Sequence, residues 1–190
     1  MKTKEKIITD KNFYRDLVLQ TVKQDGYALG WASEELRADR EVVLEAVKQT
    51  GYALDYASDK LKNNIEVVLQ AVKQTGWALK FASKKLRADR KVVLEAVKQT
   101  GWALQFASKE LQSDIDVVLV AVKKDGYTLK FASKELKNDK KVVLEAMKQD
   151  VYALQFASEE IVSKEIRQEV YDLQWVSKKS LNKILSKLKK

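Results

Sequence analysis

Lys80, Lys84 and Arg87 stand at i, i+4 and i+7, a spacing that sets three cations on one face of a helix. Lys130, Lys134 and Lys137 repeat that spacing further on, and between the two sets lie Gln105, Lys109 and Gln112. Cations gathered on one face bind anions, either an acidic protein surface or the phosphates of a nucleic acid. At the same places an earlier copy carries Asp55, Asp59 and Lys62. Charge therefore varies from copy to copy while the surrounding apolar residues do not. Variable exposed positions on a constant framework are where binding specificity is written. The candidate contact residues are Lys80, Lys84, Arg87, Lys109, Lys130, Lys134 and Lys137; the competing reading is a solvated helix face.

Other chemistries are poorly supplied. The chain has no His and no Cys, which removes the commonest acid–base side chain, the thiolate metal ligand and any disulfide. Ser33, Ser58, Ser83, Ser108, Ser133 and Ser158 recur at one place per copy. A nucleophile needs a neighbouring base and a singular site, so these serines read as local hydrogen bonds at helix contacts. There is no Gly-rich phosphate loop, no metal-ligand spacing and no calcium loop. The expectation is a non-enzymatic protein without metal or cofactor. One lysine per copy, from Lys23 through Lys48, Lys73, Lys98 and Lys123 to Lys148, falls in a last helical turn. Offsetting the helix dipole explains that ladder better than an anion track. Aromatic pairs such as Tyr52 with Tyr56 and Trp102 with Phe106 could stack bases, but their i, i+4 recurrence favours a packed core.

These side chains are positioned by a repeat. Gly26, Gly51, Gly76, Gly101 and Gly126 are spaced by 25 residues, inside a unit reading GYALxFASxxLxxDxxVVLxAVKQT. The stretch from Arg40 to Gln49 has apolar residues at i+3 and i+4, which is helical. Asp39 before it is a natural N-cap, as are Asn64, Asp89, Asp114 and Asp139 at the equivalent places. A second helix is expected over Tyr52–Leu61, with the glycine between the two as a left-handed helix stop; Thr50, or Asp25, Asp125 and Asp150 in its place, would cap it. Val151 replaces the glycine in the sixth copy. Helices of about ten residues cannot bury their apolar faces alone and must stack on neighbours. The fold class predicted is all-α, an α-solenoid of tandem 25-residue two-helix repeats. Its expected organisation is an N-terminal capping segment over 1–25, helix-pair repeats over 26–161, and a shortened last repeat with a basic amphipathic cap over 162–190.

The unit resembles the tandem repeats known as domain of unknown function 4116. The residues that carry the resemblance are the Gly-Tyr/Trp-Ala-Leu start, the Ala-Ser pair, and the Asp followed by Val-Val-Leu-x-Ala-Val-Lys, over about residues 13–177. The resemblance implies a fold and no chemistry. Some small proteins built from such repeats occur in phages and mobile elements. That association implies a narrower role, an anti-CRISPR-like inhibitor of a bacterial RNA-guided nuclease.

The net charge of +9 comes from 36 basic and 27 acidic residues. It is concentrated in 76–100, which carries +5, and in 178–190, which carries +6 with no acid. Leu181, Ile184, Leu185 and Leu188 make that tail an amphipathic helix that caps the array or, alternatively, docks on a membrane. No apolar run approaches the ~20 residues needed to span a bilayer, and no secretory signal pattern opens the chain, so a cytoplasmic protein is expected. The reading is a monomeric scaffold that binds an acidic partner protein through its basic ridge, as adaptor or inhibitor. Nucleic-acid binding by the ridge and tail is the alternative, and membrane attachment ranks third.

Overall fold

Asp39 accepts hydrogen bonds from the backbone N–H groups of Glu41 at 2.9 Å and Val42 at 3.2 Å, and so opens the ten-residue helix Arg40–Gln49. Asn64, Asp89, Asp114 and Asp139 open Ile65–Gln74, Arg90–Gln99, Ile115–Lys124 and Lys140–Gln149 in the same way. Each side chain satisfies donors that the first turn leaves orphaned. The structure, a computed structural model, describes residues 2–162. The architecture is an all-α tandem repeat of the α-solenoid class, with no strand among the described residues. The shortened last repeat and basic tail expected over 162–190 lie, apart from Val162, outside those residues.

The second arm of the repeat is not one continuous helix over Tyr52–Leu61. It is a 3-10 run, Gly51–Tyr56, followed by a single helical turn, Asp59–Lys62. Ala57 and Ser58 between them are extended. The break has a physical cause. The Ser58 N–H donates at 2.9 Å to the carbonyl of Arg37 in the preceding repeat, a bond that a continuous helix would have spent on itself. Ser83 binds the Lys62 carbonyl, Ser133 that of Gln112 and Ser158 that of Lys137, all at 2.9 Å. In most copies the serine hydroxyl oxygen also accepts from the N–H three residues on, as in Ser133 with Leu136. The recurrent serine is thus a structural hinge between repeats.

The glycine is required for a reason other than a left-handed stop, since Gly26, Gly51, Gly101 and Gly126 do not have a positive φ. A Cβ on Gly51 would lie 2.3 Å from the Ala71 carbonyl oxygen, and one on Gly126 would lie 2.2 Å from that of Ala146. Glycine is needed because the helix of the next repeat presses on this backbone. The residue before it divides by type. Asp25, Asp125 and Asp150 cap the 3-10 run by accepting from the N–H two residues on. Thr50, Thr75 and Thr100 make no such bond.

Two compact units arise, Met1–Glu95 and Ala96–Lys190. In the first, the helix Lys2–Gln24 packs on Arg40–Gln49, which packs on Ile65–Gln74. Val42, Val43, Ala46, Leu54, Val67 and Leu79 are fully buried there. Arg15 ties the first helix to the next through Asp39 and Glu41, each at 2.7 Å. Burial works to raise the Asp39 carboxyl; the bonds from Arg15 and from the N–H groups of Val42 and Glu41 outweigh it and hold the carboxyl below its ordinary value. In the second unit, Ile115–Lys124 packs on Lys140–Gln149 over Val117, Val118, Ala121 and Val143, again without exposure. Each fully buried Val or Leu contributes roughly 1.5–3 kcal/mol.

The aromatic rings are not the centre of this core. Tyr27, Tyr52, Tyr56 and Tyr152 are exposed, and Trp31 is 91% exposed. Leu and Ala take the inner side of the 3-10 run. The rings lie along its flank and meet edge-to-face across repeat junctions: Tyr52 with Phe81, Trp102 with Phe131 at 5.6 Å, and Tyr127 with Phe156 at 5.7 Å.

Candidate binding cleft

Lys134 and Lys137 stand one turn apart on the short helix Lys134–Lys137, whose start is fixed by Ser133. Lys130 precedes them on the 3-10 run Gly126–Phe131. Lys109 belongs to the repeat before. The serine bond that joins consecutive short helices, Ser133 N–H to the Gln112 carbonyl, brings these two repeats together. Between them lies a concavity of ≈ 490 Å³ lined by Lys109, Lys130, Lys134, Lys137, Gln105 and Gln112, with Ser113, Phe131, Ala132 and Ser133 completing it. Four of the seven expected contact residues therefore share one cleft. Lys80, Lys84 and Arg87 belong to the first compact unit and are not part of it. Lys80 lies 5.6 Å from the Phe81 ring centroid, and the Arg87 Nε is buried without a hydrogen-bond partner among the described residues.

The cleft holds four cations and no carboxylate. None of the four lysines is ion-paired among the described residues. Burial, and then the charge of Lys109, push the Lys137 ammonium below its ordinary value. Like charges are thus crowded with no carboxylate in the lining. The acids next to these lysines in sequence, Glu110 and Glu135, are outside the lining. The Glu135 carboxyl is held below its ordinary value by its own backbone N–H, by the Ser133 hydroxyl and by the charge of Lys134.

Two of the lysines are held in place. Lys109 Nζ donates to Gln112 Oε1 at 3.0 Å. Gln112, only 6% exposed, is itself anchored by Nε2 donating to the Leu104 carbonyl at 3.0 Å. Lys130 Nζ sits 4.2 Å from the Trp102 ring centroid and 4.7 Å from that of Phe131. Cation–π attraction of this kind is worth ~0.5–2 kcal/mol. Asp125 accepts from Trp102 Nε1 and fixes the ring below Lys130. Gln112 and Gln105 were not among the expected contact residues. The available signal was that Gln112 stands where other copies carry Arg37, Lys62, Arg87 and Lys137.

The first compact unit contains the equivalent cleft, of ≈ 520 Å³, lined by Glu34, Arg37, Tyr56, Ala57, Ser58 and Asp59. Each of these residues is 75 positions before its counterpart in the lysine cleft. Glu34 stands for Lys109, Arg37 for Gln112 and Asp59 for Lys134. The backbone scaffold is shared, and the charge of the cleft is set by the variable positions alone. The lysine ladder behaves otherwise: Lys48 pairs with Glu45, and Lys148 with Glu145 at 3.0 Å, each within the last turn of its own helix.

A family model described as domain of unknown function, DUF4116, matches residues 14–62, 39–87, 64–112, 89–136 and 114–162. The chain belongs to the DUF4116 family. Successive matches begin 25 residues apart, the spacing of the glycines that admit the next helix. The lysine cleft of this DUF4116 array falls within the last three of the five matches. No curated protein and no solved structure matches the chain. No helix among the described residues is long and apolar enough to cross a membrane.

Proposed function

We propose that this DUF4116 array is a non-enzymatic binding scaffold. It holds a partner protein by an acidic surface segment, with Lys109, Lys130, Lys134 and Lys137 as the contact residues. The observation that carries the reading is the crowding of four cations, two of them held in position, around a cleft with no carboxylate in its lining. Such an arrangement gains from an anionic occupant. Holding Lys109 and Lys130 beforehand lowers the ordering cost of binding. Occupation of the cleft by a partner segment suits an adaptor or an inhibitor.

The test uses labelled hexaglutamate and fluorescence anisotropy. The full chain binds it, and affinity falls as salt rises from about 50 to 200 mM, as expected for charged surfaces. Replacing Lys109→Glu and Lys134→Glu together weakens binding at least ~10-fold, about 1.4 kcal/mol, with the helical spectrum intact. Unchanged affinity in the double variant rules out this cleft. Much tighter binding of a single-stranded RNA of equal charge transfers the reading to nucleic acid.

A further inference from the structure

Resting on that reading, we infer that the cleft of Lys109, Lys130, Lys134 and Lys137 recognises a phosphorylated side chain on the partner protein rather than a run of carboxylates. The first reason is the choice of cation. The lining contains lysine and no arginine, although the array places Arg37 and Arg87 where this cleft has Gln112. A guanidinium fork engages two oxygens at a time, of a carboxylate or of a phosphate alike. Ammonium groups are compact point charges that can converge on a tetrahedral anion from several directions. At Gln112 the array gives up a fork and gains an amide whose oxygen holds a lysine at 3.0 Å.

The second reason is the amount of charge. Lys109 is close enough to Lys137 that its charge disfavours that of Lys137. A single carboxylate brings one negative charge to four cations. A phosphomonoester brings about −1.5 to −2 at neutral pH on three acceptor oxygens. It can therefore engage several of these ammonium groups at once and relieve their repulsion.

The third reason is geometry. Lys109 descends from one repeat; Lys130, Lys134 and Lys137 come from the next. Gln112 fixes Lys109, and the Trp102 and Phe131 rings fix Lys130. The cleft is thus pre-set for one compact multivalent group. The acidic residues of the equivalent cleft, Glu34 and Asp59, would repel such a group, which sets the two clefts apart.

Three labelled heptapeptides test the inference: one acidic and centred on phosphoserine, one with serine there, and one with glutamate there. Each is titrated onto the full chain at fixed ionic strength. The expected order is phosphoserine tightest, at least ~10-fold over glutamate, with serine weakest. Lys109→Gln and Lys137→Gln should erase the preference for phosphoserine. Lys141→Gln, exposed and outside the cleft, should leave it unchanged. The intact helical spectrum of each variant is checked alongside. Equal affinity for the phosphoserine and glutamate peptides overturns the phosphate inference and leaves the acidic-partner reading standing. No binding of any peptide overturns both. A single-stranded RNA that displaces the phosphopeptide at far lower concentration overturns both in favour of nucleic acid.

Discussion

Gly51→Ala adds one methyl group at a repeat junction and should destabilise the first compact unit strongly. The new Cβ would lie 2.3 Å from the Ala71 carbonyl oxygen and 2.9 Å from Thr75 Cγ2. Ordinary contact begins near 3.4 Å, so the oxygen is about 1.1 Å too close. That oxygen cannot swing away, because it sits inside the helix Ile65–Gln74 and accepts from the Thr75 N–H at 3.1 Å. The helix must move as a body, and its inner face of Val67, Val68, Ala71 and Val72 is fully buried. A gap of about 1 Å forfeits a quarter to a half of each contact along such a face. Overpacking costs ~1–3 kcal/mol, and a rigid backbone neighbour places this case at the upper end, about 3 kcal/mol. For a chain of this length that is a fall in Tm of roughly 6–12 °C. Urea and thermal melts followed by far-UV circular dichroism measure it. Gly51→Asn separates the two roles of glycine. A left-handed stop tolerates Asn, whereas a close approach rejects it more firmly than Ala. A Gly51→Ala protein that melts within a degree of the parent, or an Asn variant more stable than the Ala variant, refutes the reasoning.

Asp39→Ala should cost more than Asp139→Ala. Both remove an N-cap worth about 1 kcal/mol, and the first also strips Arg15 of a partner at 2.7 Å. Arg15 and Asp39 are partly exposed, so the extra loss is within ~1 kcal/mol. The folded Asp39 carboxyl lies below its ordinary value. Its stabilisation is therefore complete above the unfolded value of about 3.9 and is lost as pH falls through the folded one. Urea melts at pH 7 and pH 3 should show the gap between the two variants closing in acid. Asp125→Thr installs the residue that makes no cap bond in other repeats. It should cost ~1–2 kcal/mol and change the Trp102 environment, read as a shift in tryptophan emission.

Much of the fold was legible because its signals are local. The helix Arg40–Gln49 announces itself by i+3 and i+4 apolar spacing, and Asp39 marks its start. The broken second arm was not legible. The Ala57–Ser58 pair reads as helix until the carbonyl of Arg37, 21 residues earlier, takes the Ser58 N–H. Gly51 misled for the same reason: a stop and a close approach look alike in sequence, and the deciding oxygen belongs to Ala71. The flanking rings read as core when i, i+4 spacing is placed on a helix of 3.6 residues per turn, whereas the chain forms a tighter 3-10 run. Within the candidate cleft, the variable cations were visible at Lys109, Lys130, Lys134 and Lys137. Gln112 was not, because its burial depends on the Leu104 carbonyl that its amide reaches.

Within each unit the contacts that join repeats span nearly constant distances along the chain. Gly51 meets Ala71 at 20 residues, Ser58 meets Arg37 at 21, Arg15 meets Asp39 at 24 and Tyr52 meets Phe81 at 29. Docking each repeat on its predecessor thus closes a loop of one repeat length, however many repeats precede it. Closure entropy grows only with the logarithm of loop length, and here that length is fixed. Relative contact order therefore falls as repeats are added, and low contact order is what makes folding fast. A DUF4116 chain lengthened by one repeat should gain surface for another cleft without acquiring a slower search for its native pairing.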